Sequence, residues 1–280
     1  MRWLLNLAFV LLFIPLMSQD KSQFDFVQYL IARKQYPEAL FVLNQLRTDQ
    51  SINQDSVHFY MGESFFLLKK LDSSALYFGL ISKSFSLYEK TKFFQAYNLA
   101  YLRDTTAKHI LREFEPRDPL HRHLKNYELS GIALLERNYE EFEALSNNYT
   151  DSFYQIKAEQ AKMLIYAVEL QSVKQRSPVV AGVMSAVVPG LGKVYAGRWK
   201  QGLAYFGIMA ALGAQTYEAY RKDGINDPFF YFYASAFTLF YVGNIWGSVF
   251  SVKIEQNEKF KAIDNRILFD LQIPLRTAFN

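Results

Sequence analysis

Between Phe24 and about Leu170 the chain carries few Gly or Pro, and its apolar residues recur at spacings of three and four. Only an α-helix turns that period into one continuous face. No strand-like alternation competes with it. The stretch from Val57 to Leu68 reads as a helix with a broad apolar face, Lys69 to Ser74 breaks it, and Ala75 to Ile81 begins another. The unit is therefore a helix, a tight turn and a second helix.

The same phrase recurs along the chain. Tyr36-Pro-Glu-Ala39, Leu71-Asp-Ser-Ser-Ala75, Asp104-Thr-Thr-Ala107 and Asn138-Tyr-Glu-Glu-Phe142 each begin a second helix, and their last residues lie 36, 32 and 35 positions apart. A period near 34 residues marks a stacked helical repeat. On these residues the segment resembles the tetratricopeptide repeats, whose helices cross at small side chains. Tyr36, Ala39, Gly62, Ala75, Ala100, Ala107, Gly131 and Tyr139 stand at the matching positions; Phe142 replaces an Ala, and the Trp and Pro signatures are missing. The resemblance implies about four helix pairs closed by a helix from Asp151 to Leu170. It also implies a solenoid with a groove that holds a peptide or partner protein.

The N-terminus has the grammar of a secretory signal: Met1-Arg2, an apolar run from Trp3 to Met17, then polar Ser18-Gln19-Asp20. A run of this length falls short of the ~20 residues a spanning helix needs. Residues 1–18 are expected to be a signal peptide cut after Ser18, which places the chain from Gln19 onward outside the cytoplasm. No Cys occurs anywhere, so lipoprotein anchoring, disulfides and thiolate chemistry are all excluded.

After a helical-repeat domain at 19–170 and a polar, basic linker at 171–177, the composition shifts. Three apolar stretches succeed one another, Pro178 to Gly192, Gly202 to Tyr217 and Phe229 to Val252, and the last is long enough to span. Residues 178–257 are expected to be a small α-helical membrane domain with two or three hydrophobic segments, and 258–280 a C-terminal tail. Small residues at Gly207, Ala211, Ala214, Gly243 and Gly247 suit close packing of bilayer helices. Asn244, in the Gly243-Asn-Ile-Trp-Gly247 string, needs a hydrogen-bond partner on another helix or a cavity to face.

Pro189, Gly190, Gly192, Tyr195 and Gly197 form a string that resembles the motif of the two-transmembrane-segment family of bacterial envelope domains, over about Val180 to Asn257. The resemblance implies a hydrophobic hairpin and lends no activity. Physically, Pro189 withholds a backbone donor and the glycines admit unusual dihedrals, so a kink or re-entrant turn belongs here. Three crossings place Lys193, Arg198 and Lys200 inside, as the positive-inside rule asks, and leave the tail on the cytoplasmic side. If the first stretch only dips into the bilayer, the tail returns to the side of the repeats.

The 31 basic and 27 acidic residues are mixed along the chain, so no nucleic-acid stripe appears. His121-Arg-His123 lacks the pattern of a metal site, Glu140-Glu141 reads as a solvated helix face, and no nucleophile or phosphate-loop motif is present. No catalytic, cofactor or metal residue is assigned. The sequence thus predicts an all-α protein: a helical-repeat, tetratricopeptide-like solenoid followed by the membrane domain. Its expected role is a non-enzymatic interaction scaffold in the bacterial inner membrane, with the repeats in the periplasm holding an envelope protein or peptide. A homo-oligomer through the membrane domain is possible on this reading, and the alternative function is a subunit of a small channel or transporter.

Overall fold

The computed structural model describes residues 23–279, which form helices joined by turns and no strand. The signal-peptide segment 1–18 lies outside the described residues. After a first helix, α1, over residues 23–32 come α2 (Tyr36–Leu46), α3 (Gln54–Leu67), α4 (Leu71–Gly79), α5 (Tyr88–Tyr101), α6 (Thr106–Glu113), α7 (Pro119–Leu135), α8 (Tyr139–Ser146) and α9 (Tyr154–Ser172). Next are α10 (Pro178–Val187), α11 (Leu191–Ala196), α12 (Trp199–Asp223), a 3-10 turn (Gly224–Asn226) and the long α13 (Pro228–Ala278). Contacts divide the chain into two compact units. Of the described residues, the first holds 23–164 together with 267–279; the second holds 165–266 and includes the polar stretch 171–177.

In the first unit, α2 to α7 each pack on the next helix in sequence. The α1–α2 pair buries Val27, Leu30, Ala39 and Leu43 against Val57 and Met61 of α3. Within each pair the turn has one geometry. Lys34, Lys69, Arg103 and Arg137, 35, 34 and 34 residues apart, take left-handed φ angles of 61 to 63°. At each one its own N–H bonds back three residues, and the next N–H bonds back five: Gln35 to Leu30, Lys70 to Phe65, Asp104 to Leu99 and Asn138 to Ala133, all at 2.9 Å. This double bond closes the carbonyl end of a helix and aims the chain into the next one. The turn is normally a glycine site, yet four basic side chains adopt it here. Of the small positions expected at helix crossings, Gly62, Ala39, Ala75, Ala100, Ala107 and Gly131 are all buried, whereas Tyr36 and Tyr139 are half-buried.

The end of the chain is helical and docked, not the separate tail expected at 258–280. Ile267, Leu268, Leu271 and Leu275 follow the 3.6 period and are buried in the first unit. Gly131 of α7 leaves the space that Leu271 fills: a Cβ there would lie 2.5 Å from the Leu271 side chain. Lys162 of α9 pairs with Asp270 at 3.0 Å, a contact that raises the lysine's pKa. Pro274 sits inside α13 and has no N–H for the carbonyl of Asp270 one turn earlier; the Tyr127 hydroxyl donates to that oxygen instead, at 2.9 Å. The chain therefore leaves the first unit after residue 164 and rejoins it at 267.

In the second unit, α10, α11 and α12 pack in succession, and α12 and α13 form a hairpin with Tyr220 on Phe230. Asp227 caps α13 by accepting from the N–H of Phe229 at 2.8 Å, with Pro228 in the first turn. Among the described residues no helix is long and apolar enough to cross a membrane. Phe229 to Val252, expected to be long enough, is diluted by Tyr, Ser, Thr and Asn side chains, and α12 ends in Glu218, Arg221, Lys222 and Asp223.

Candidate functional site

Each of the five residues of the Pro-Gly string has a place in one tight turn around α11. Val188 and Pro189 end α10, Gly190 caps α11 with φ 88°, and Gly197 ends α11 with φ 98°. Both angles lie where an L side chain is strained. A Cβ on Gly190 would stand 2.1 Å from the carbonyl oxygen of Gly202 in α12, and one on Gly192 would stand 2.0 Å from the carbonyl oxygen of Ala181 in α10. Three backbones thus meet at distances only glycine permits. The Tyr195 hydroxyl accepts from the N–H of Ser177, and the Arg176 guanidinium lies over its ring at 5.7 Å.

Asn244 locks this turn from α13. Its Oδ1 accepts from the N–H of Gly190 at 3.2 Å and its Nδ2 donates to the carbonyl of Ser185 at 3.3 Å. The Ser185 hydroxyl accepts from the N–H of Gly192 and donates to the Ser248 hydroxyl, which donates to the Asn244 carbonyl. Every member of this network is buried and satisfied within the chain, so Asn244 bonds across to other helices instead of facing a cavity. Gly247, also expected to pack helices, faces Lys193: a Cβ would meet its Nζ at 2.8 Å. Gly243 does not pack. It is exposed, and nothing lies within 4 Å of a Cβ placed there; the same open space surrounds Gly207.

The second unit buries a group of polar side chains beside a small apolar cluster of Ala181, Ala196 and Val252, and it leaves many large apolar side chains outside. Ser185, Lys193, Asn244, Ser248 and Ser251 are buried, while Val179, Val187 and Leu239 are more than 70% exposed. Trp199, Leu203, Phe232, Trp246 and Phe250 are likewise on the outside. On α13 the buried positions 244, 248 and 251 are polar, with apolar Val252 beside them, and the exposed positions 239, 242, 246 and 250 are apolar. Lys193, expected on a cytoplasmic loop, is tucked in with its Nζ 4.4 Å from the center of the Tyr205 ring. Sequence reading registers that these helices are apolar on average; only the folded arrangement reveals that their polar residues point at one another.

In the first unit, His121 bonds Glu89 at 2.6 Å and stacks on Phe279, while His123 lies against Phe153. Among the described residues no three His, Asp or Glu side chains gather as metal ligands. Glu140 is exposed. Burial opposes ionization of Glu141, but hydrogen bonds and charge from Lys108 and Arg112 outweigh it and hold the carboxyl below its ordinary range. The motifs weighed as chemical sites in the sequence are thus occupied by ion pairs and ring contacts. Two cavities share Lys90: one of about 610 Å³ that includes His121 and Phe279, and one of about 310 Å³ walled by phenylalanines. The sequence contains no local signal for either, because their walls come from several helix pairs and the end of α13.

No family model, no curated protein and no solved structure matches the chain.

Proposed function

We propose that this chain is a membrane-anchored, non-enzymatic interaction scaffold of a bacterial envelope, in which the second unit is held in the lipid bilayer and the repeat-built first unit presents a groove to a protein or peptide partner. The observation that carries this reading is the exterior of the second unit: large apolar side chains lie outside, while Ser185, Asn244 and Ser248 bond to one another inside. An exterior of this kind is poorly tolerated in water, where contiguous apolar patches seldom exceed a few hundred Å². In lipid it is the stable arrangement, because the buried Asn244 and serine groups already have partners. The hydropathy of α13 understates this fit, since it counts Asn244, Ser248 and Ser251 although lipid would not meet them.

On this reading the α12–α13 hairpin enters and leaves the bilayer on one side, the topology in which the chain end returns to the repeats. The packing of residues 267–279 within the first unit agrees with it. With the expected secretory signal, that side is the periplasm and the membrane is the inner one. The alternative of a channel or transporter subunit draws less support, because the Asn244 network bonds to itself and lines no open path. Flotation tests the proposal: purified chain mixed with phospholipid vesicles and spun through a density gradient should rise with the vesicles and resist extraction by high salt and alkaline carbonate. Chain that stays at the bottom as a monodisperse species without detergent would refute it.

A further inference from the structure

We propose that the phenylalanine-walled cavity of the first unit is a binding site for an apolar group that carries a carboxylate. The cavity, about 310 Å³, lies between α3, α4, α5 and the last turns of α13. Phe59, Phe66, Phe78 and Phe94 wall it, with Phe66 and Phe94 edge to face at 5.2 Å. Gly62 is what lets the wall close: a Cβ there would stand 2.6 Å from the Phe78 ring. A volume near the lower end of ligand pockets, roughly 300 Å³, suits a group the size of one side chain or a small organic acid.

The rim is cationic. Lys69, on the left-handed turn after α3, sits 5.6 Å from the Phe66 ring, and Lys90 of α5 sits 5.4 and 5.9 Å from the Phe59 and Phe94 rings. Arg276 reaches the rim from the end of α13. Against these three charges stands one carboxylate, Glu63, whose oxygen is 3.9 Å from Lys90. Burial pushes the Glu63 carboxyl up, which weakens it as a counter-charge. Lys69 and Arg276 have no carboxylate partner among the described residues. Aromatic walls take an apolar body; cations at the mouth take an anion. Lys90 also lines the adjoining 610 Å³ cavity, so a polypeptide bearing the group has room to continue.

The site belongs to the first unit alone, so its failure is separable from failure of the membrane anchor, which flotation reads. The test is titration calorimetry on the full chain in detergent micelles, with empty micelles subtracted. The probes are 3-phenylpropionate, its uncharged amide, and an N-acetylated, C-amidated Gly-Asp-Phe-Gly peptide. The acid or the peptide should bind at least tenfold more tightly than the amide. The paired substitutions Lys69→Gln and Arg276→Gln should weaken that ligand at least tenfold while leaving the amide's affinity and the thermal midpoint unchanged. Tighter binding of the peptide identifies a polypeptide as the source of the carboxylate, and tighter binding of the free acid a small metabolite; both keep the proposal. Equal affinity for acid and amide, an unaltered Kd in the double variant, or no heat from acid and peptide at millimolar concentration would each overturn it.

Discussion

Tyr127→Phe is the substitution whose effect the structure specifies most narrowly. The side chain has no solvent exposure, burial raises its pKa well above the ordinary value, and its hydroxyl is therefore a donor at every workable pH. It donates to the buried carbonyl of Asp270, which Pro274 cannot serve. Removing one donor from a buried carbonyl costs about 1–3 kcal/mol. Pro274→Ala restores an N–H that can reach the same oxygen, so in that background Tyr127→Phe should cost only about 0.5–1.5 kcal/mol, the usual net worth of one hydrogen bond. The coupling from the four-protein cycle should then be on the order of 1 kcal/mol, within the range for residues that share a partner. Pulse proteolysis across a urea series, following the fragment that contains the first unit, reads each stability without assuming that both units unfold together. Equal costs of Tyr127→Phe with Pro274 present and with it replaced by Ala would refute the idea that hydroxyl and backbone compete for one acceptor, and with it the docking of the chain end on α7.

Three further outcomes rest on the same packing. Glu128 is fully buried with Oε1 unpartnered, and burial pushes its carboxyl well above the usual carboxylate range, so the folded state holds a proton that the unfolded chain releases near pH ~4.5; stability should fall as pH rises from there toward the folded pKa, and Glu128→Gln should flatten thermal midpoints compared at pH 5 and pH 8. Gly190→Ala meets both a left-handed φ and the Gly202 carbonyl, and should abolish a monodisperse peak in size-exclusion chromatography, whereas Gly243→Ala, with open space around it, should be tolerated and gain up to about 1 kcal/mol of helix propensity; a change in oligomer size on Gly243→Ala would place that face in an interface between copies. Lys34→Gly removes strain of about 1–2 kcal/mol at a left-handed residue and adds about 0.5–1 kcal/mol of unfolded-chain entropy, so thermal unfolding should find it neutral to slightly stabilizing.

The helix pairs were legible in the sequence because their apolar period and turn phrases are local signals. The regular spacing of the turns was harder to see: it is carried by the residues at 34, 69, 103 and 137, and there Lys and Arg stand in place of the glycine that would announce a left-handed turn. The Pro-Gly turn was legible as a turn, and Asn244 as a polar group in need of a partner; the partner, Gly190, is 54 residues away and only the fold supplies it. The helix at 258–278 is not legible in the sequence: Ile267 to Ile273 is too short for periodicity to choose between helix and strand, and Pro274 interrupts a helix unless another donor, here Tyr127, serves the freed carbonyl. Hydropathy also failed as a guide to Gly243 and Gly207. Spacing finds small residues on one face but does not say whether a neighbor lies against it.

Brominated lipids offer the most direct test of the central claim, that the second unit lies in the bilayer. With Trp3 replaced by Phe, the two remaining indoles are Trp199 and Trp246, 59% and 61% exposed on the outer face of that unit. Chain reconstituted into vesicles of phospholipid brominated along the acyl chains should lose most of its tryptophan emission relative to unbrominated vesicles, while soluble acrylamide should quench little. Emission that ignores the brominated lipid and yields to acrylamide would show both indoles in water and contradict the account.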